Sequence, residues 1–326
     1  MRLPRYLSYS AFALWEKDPD EYYRIHLAES RAPRQPQERP AAVGSAFDAY
    51  AKSSLHSALF GAGSDPRYSL EALFEAQVEE HNHNWAGDEG QYVFHCYQDC
   101  GAYFELLDLL IKSKEPPRFE FTVEATVAGV PFLGKPDCRF VTAGDVHVVH
   151  DWKCNGYCSK STTSPTKGYM LCRDAHSGKP SKSHMTAHKN FIAKDFNGLA
   201  IHDGGLEDSS QTWADQLCLY AWALGEPIGD ENVVLSIDQI VAKPMPEGRP
   251  QLRVAQYRAR VREPYQLLLR DRFTRAWQAI STGHVFQDLS RDENDARCEI
   301  LDREALSLQT EDDDYFAAAV RPRYRG

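Results

Sequence analysis

The chain has 326 residues, 42% hydrophobic and 26% charged, which supports a sizeable core and excludes a collagenous or low-complexity protein. A formal net charge of −10 excludes indiscriminate nucleic-acid binding over the whole surface, though a local basic channel remains open. No run of about eighteen apolar residues offers a membrane span, and MRLPRYLSYSAF lacks the apolar stretch of a secretory signal, so an intracellular, cytoplasmic protein is expected.

Taken in order, LSYSAFALWEKDPDEYYRIHL reads as a helix starting near Ser10, with a break around Pro19. A Pro- and Arg-rich loop follows, then a helix in VGSAFDAYAKSSLHSALF and further helices over 69–83 and 91–113, where apolar residues recur at three and four. The pattern then shifts to RFEFTVEATVAG, VPFLGKPDCRFVTAG and DVHVVHDWK, three short strands with Gly-containing turns. Residues 154–208 show no sustained period, and so long a loop points to function. SSQTWADQLCLYAWALGE places Trp213, Leu217, Tyr220 and Leu224 on one helical stripe, with Gly225 at its end. Two strands, NVVLSIDQIVAK and QLRVAQYRARV, precede a helix from Glu263 to Thr282, closed by Gly283. This order predicts an α/β (α+β) protein with a mixed central sheet flanked by helices. Residues 1–115 form a helical N-terminal region packed on the core, 116–283 the core with a basic insertion at 154–208, and 284–326 a loosely held acidic tail.

GKPD puts Asp137 late in the second strand, and DWK puts Asp151 and Lys153 on one face of the next. Strands paired through the turn near Gly144 bring both acids to one end of the sheet. Two carboxylates a few ångströms apart repel unless a cation lies between them. Mg²⁺ suits that place, since it takes oxygen ligands and keeps waters and phosphate oxygens in its shell; Mn²⁺ can substitute. Lys153 beside it can orient or deprotonate a water, or neutralise charge on a phosphate.

GKPD followed by DWK resembles the signature of the PD-(D/E)XK nucleases, and QLCLY, with Gln216 and Tyr220 sharing a helix face, resembles the QxxxY motif of the RecB-like, phage-recombination exonuclease branch. VGSAFDAY and LSYSAFALWEKDPDEYY are similar to that branch's Gly-led helical motif and its N-terminal aromatic signature; the resemblance runs in order from about residue 7 to 225. It implies a restriction-endonuclease-like core and a Mg²⁺-dependent exonuclease of phage-type DNA recombination, acting in a bacterial or phage-infected cell. Asp137, Asp151 and the Trp152 carbonyl hold the metal. Asp48, standing where many relatives have His, is the third side-chain ligand. Lys153, Gln216 and Tyr220 serve catalysis, and Ser45 meets DNA. The implied partners are linear duplex or single-stranded DNA and a single-strand-binding or annealing protein. No iron–sulfur cluster is expected, because Asp18 stands at the first cysteine position of cluster-bearing relatives and only Cys298 lies late in the chain.

Residues 154–194 carry Lys160, Lys167, Arg173, Lys179, Lys182, Lys189 and Lys194 against Asp174 alone, a basic stretch able to track phosphates, with Tyr157 and Tyr169 available for base stacking. Lys160, Lys167, Arg173, Lys182 and Lys189 are its expected DNA contacts. Cys154, Cys158, Cys172, His176, His184 and His188 raise a rival, structural Zn²⁺, on looser spacing than the usual paired C-x₂-C. Two alternatives to the nuclease therefore stand: a catalytically inactive DNA-binding subunit of the same fold, and a zinc-stabilised nucleic-acid-binding module.

Overall fold

The computed structural model describes residues 1–158, 170–179, 193–243 and 245–319, with side chains to residue 309. Lys160, Lys167, Tyr169, Lys182, His184, His188 and Lys189 lie outside them. The chain divides into two units, one made of Met1–Gln35, Glu124–Gly134 and Leu267–Gly326, the other of Pro36–Val123 and Lys135–Gln266. Among the described residues no helix is long and apolar enough to cross a membrane.

The smaller unit opens with α1 (Tyr9–Lys17) and α2 (Pro19–Tyr22). Ser8 caps α1 by accepting from the Ala11 N–H, and Asp18 caps α2 by accepting from the Glu21 N–H, so the break at Pro19 is a change of helix rather than a kink. The Phe12 ring meets Phe273 edge-on at 5.2 Å, and Phe273 in turn meets Phe132 at 6.0 Å. The stretch expected to be a loose tail is instead largely helical, Arg291–Ala319. Asn294, Leu301 and Ala305 recur on its buried side, Tyr23 Oη donates to Asp302, and Arg297 pairs with Asp20. Acidity on the outer face masked that short buried stripe.

The larger unit is built on a six-stranded mixed sheet. Among the described residues the strands are, in chain order, β1 (Arg118–Phe119), β2 (Val123–Val127), β3 (Val130–Gly134), β4 (Cys138–Val141), β5 (His147–Asn155), β6 (Leu171–Asp174), β7 (Lys194–Phe196), β8 (Leu199–Ile201), β9 (Val233–Lys243) and β10 (Gln251–Ala259), of which β2 from Glu124 on and β3 belong to the smaller unit. The large sheet runs β1-β4-β5-β9-β10-β6, while β2-β3 and β7-β8 are separate hairpins. Three expected strands are thus five, because the backbone breaks at Glu120 and again before Asp137. The 154–208 stretch is also not all loop: β6 lies along β10 and closes the sheet edge, with Cys172 opposite Ala255.

Strand β5 pairs antiparallel with β4, Cys138 opposite His150, and parallel with β9, Trp152 opposite Asp238. A parallel neighbour demands a crossover, and its helix is α8 (Gln211–Ala223), which follows the single turn α7 (Leu206–Ser209). The other helices are α3 (Arg39–Phe60), α4 (Leu70–Gln77), α5 (His83–Asp99) and α6 (Ala102–Ile111). The 91–113 period spans two of them because Gly101, at φ 86, turns the chain at Cys100. Helix α9 (Glu263–Ser281) ends at Gly283, φ 72. Gly90 lets α5 lie directly on α3: a Cβ there would stand 2.4 Å from Ala46 Cβ. The core cluster joins Phe47, Tyr97, Phe140, Val148 and Val254 across these layers.

Candidate active site

Asp151 and Lys153 project from β5 toward α8, as their alternation on the strand requires. Asp151 keeps 4% of its side chain exposed and Lys153 25%. Lys153 Nζ lies 2.5 Å from Asp151 Oδ2 and donates to Gln216 Oε1 at 2.9 Å; Gln216 Nε2 donates to Tyr220 Oη at 3.2 Å. One helical turn separates Gln216 from Tyr220, so α8 presents both to the same place.

Asp137 is not in a strand. It occupies the link just before β4, where its Oδ2 accepts the Trp152 backbone N–H at 3.2 Å and its own carbonyl accepts the Glu120 N–H at 3.0 Å. Its carboxyl is also within hydrogen-bonding reach of Asp151. Helix α3 brings Asp48 to the same cluster, along with a residue the sequence reading passes over, Lys52. The Lys52 ammonium lies 2.6 Å from Asp48 Oδ2, 3.0 Å from Glu120 Oε2 and 3.1 Å from Asp137 Oδ1. Glu120, likewise unforeseen, sits at φ 37 and also accepts from the Gln77 amide. The four-residue spacing of Asp48 and Lys52 on one helix was the available signal.

The charges are unevenly settled. Burial pushes Asp151 up to about 8, with Asp137 adding to it and Lys153 opposing. Burial, against Lys52, pushes Asp48 up to about 7. For Asp137 burial acts upward too, but Lys52 and Lys153 overcome it and hold the group below the usual carboxylate range. Burial acts downward on both lysines, yet their carboxylate neighbours prevail and hold each above the ordinary lysine value. Lys153 is therefore an ammonium. That state suits orienting a water and balancing charge on a phosphate.

The donor set suits a hard cation. It is all oxygen, Asp48 Oδ1 is buried without a hydrogen-bond donor, and the Asp48 and Asp151 carboxyls are destabilised as anions chiefly by burial and further by Asp137. As they stand, no three His, Cys, Asp or Glu side chains among the described residues form a metal-holding group; in the acidic cluster the Lys52 ammonium lies between the carboxylates.

Behind the strand, on its other face, Trp152 Nε1 donates to Tyr97 Oη at 3.2 Å, and Tyr97 donates to the fully buried Asp238. This pins β5 and β9 under the site.

The expected DNA contacts fare differently. Ser45 Oγ accepts from Gln37 at 3.1 Å. Arg173 is not a free phosphate contact: its guanidinium pairs with Glu105 and donates to the Cys100 carbonyl at 3.0 Å. Tyr157 is buried and donates to Glu89, so it does not offer an open stacking face. Of the possible zinc ligands, Cys154 and Cys172 have thiols pushed up to about 12 by burial, Cys172 lies within the sheet, and His176 is exposed. Comparison with protein-family models and with curated proteins returns no match.

Proposed function

We propose that the chain is a Mg²⁺-dependent deoxyribonuclease, an exonuclease of phage-type DNA recombination or processing, with a PD-(D/E)XK-like core. The observation that carries this reading is the meeting of Asp137, Asp151 and Lys153 at one rim of the sheet, with Gln216 of the crossover helix holding the Lys153 ammonium. Asp48, Asp137, Asp151 and the Trp152 carbonyl would hold the ion, which when bound polarises a phosphodiester and acidifies a water. The chain's own groups supply the rest. Lys153, held as an ammonium beside Asp151 and the ionised Asp137, orients the attacking water and balances charge on the phosphate oxygens. Gln216 fixes Lys153 Nζ, and Tyr220 fixes Gln216, so the ammonium is set before substrate arrives. The partners in this reading are linear duplex or single-stranded DNA and a single-strand-binding or annealing protein.

The test is purified protein with linear, nicked and circular DNA in Mg²⁺, Mn²⁺ or EDTA, beside Asp151→Ala and Lys153→Ala. Metal-dependent degradation of linear DNA, reduced at least about 100-fold in both variants while DNA binding persists, is expected. Cleavage of closed circles would replace exonuclease by endonuclease. Intact DNA with retained binding would replace the nuclease by a binding subunit.

A further inference from the structure

Lys52 belongs to helix α3 and keeps 2% of its side chain exposed. An ammonium has three donors, and this one has three carboxylate neighbours from three separate segments: Asp48 one turn back, Glu120 after β1, and Asp137 before β4. Glu120 reaches it from a left-handed backbone conformation that is uncommon for a non-glycine residue and persists only where the surroundings enforce it. The enforcement is visible: the Glu120 N–H is held by the Asp137 carbonyl, and its carboxylate by Gln77 and Lys52. A buried ammonium alone is too costly to keep charged, and three converging carboxylates without a cation repel one another. The lysine and the acids are mutually required.

We propose that Lys52 is the resident cation of this site: its ammonium stands where a second divalent ion would otherwise lie, among Asp48, Glu120 and Asp137, and limits the cluster to one exchangeable ion on the Asp151 side. This rests on the metal-binding reading of Asp137 and Asp151. Asp48 Oδ1 is buried without a hydrogen-bond donor and stays open to that ion, while Asp151 Oδ2 already has the Lys153 ammonium at 2.5 Å. Lys52 acts through the carboxylates and not on substrate, so it is a positioning residue.

The experiment strips the full chain of metal and titrates it with Mn²⁺ alone, counting bound ions by the loss of the free-ion electron paramagnetic signal. The wild type and Lys52→Arg should bind one Mn²⁺, and Lys52→Met two. Metal-free Lys52→Met should melt about 5–10 °C below the wild type, since removing one partner of a buried ion cluster is strongly destabilising, and Mn²⁺ should return most of that loss. Two Mn²⁺ on the wild type, or one Mn²⁺ on each of wild type and Lys52→Met with equal Mn²⁺-induced melting shifts, overturns the proposal while leaving the nuclease reading intact. A Lys52→Met chain that stays unfolded in millimolar Mn²⁺ also overturns it, because the ion then fails to replace the ammonium. No Mn²⁺ on the wild type with one on Lys52→Met supports the resident cation and overturns the metal-dependent nuclease. No Mn²⁺ on either chain overturns both.

Discussion

Asp151→Asn in EDTA measures how much uncompensated charge the site buries. The Asp151 carboxyl, pushed up to about 8 by burial and by Asp137, returns to about 3.9 in the unfolded chain. Between those values the native chain holds a proton that the unfolded chain has released. Stability from this group is therefore full at acid pH and lost as pH rises through the folded value. One proton is worth about 1.4 kcal/mol per pH unit, so about 4 kcal/mol disappears between roughly pH 5 and pH 8. Asp48, raised to about 7, acts in the same direction in both chains. His26, His56, His150 and His202 act oppositely: burial lowers each, so the unfolded state binds the extra proton and stability rises up to about pH 6.5. The histidines are shared, so the comparison cancels them. Urea unfolding of both chains across this range, followed by tryptophan fluorescence, should show the Asn variant gaining about 4 kcal/mol relative to wild type from pH 5 to pH 8. Parallel stability curves would refute the argument that Asp151 is a buried carboxylate short of positive charge.

Gln216→Ala removes the 2.9 Å hold on Lys153 Nζ and the 3.2 Å contact with Tyr220. DNA cleavage should fall about 10- to 100-fold in kcat, with the Kd for DNA changed less than about twofold by fluorescence anisotropy. Gly90→Ala puts a methyl 2.4 Å from Ala46 Cβ and 2.9 Å from α3 backbone, so urea unfolding should show a loss of about 1–3 kcal/mol or more. Tyr97→Phe takes the donor from Asp238, whose other oxygen already lacks one, and should cost about 1–3 kcal/mol in the same assay.

The helices were legible because their apolar residues recur with helical spacing, and β5 because HVVHDWK alternates at the point where Asp151 and Lys153 share a face. Asp48, Asp137, Asp151, Lys153, Gln216 and Tyr220 do converge, a geometry that motif order anticipated. What escaped notice has a physical cause in each case. Lys52 is one of 37 lysines and arginines, and only its depth and its neighbours set it apart. Glu120 sits in RFEF, which alternates like a strand, yet its backbone leaves the strand to reach Lys52. The four residues of β6 are too few to show a period, and their place is set by pairing with distant β10. Arg173 and Tyr157 read as open contacts because local composition does not reveal that Glu105 and Glu89 lie opposite them.

The parallel pairing of β5 with β9 has a consequence for biosynthesis. The residues that meet at the rim come from positions as far apart as 48 and 220, and the strand that anchors them from behind, Val233–Lys243, is made later still. An amino-terminal fragment released before that strand has the acids in hand but no frame to gather them. Whatever chemistry the rim performs is withheld from the nascent polypeptide and begins only when the crossover is closed.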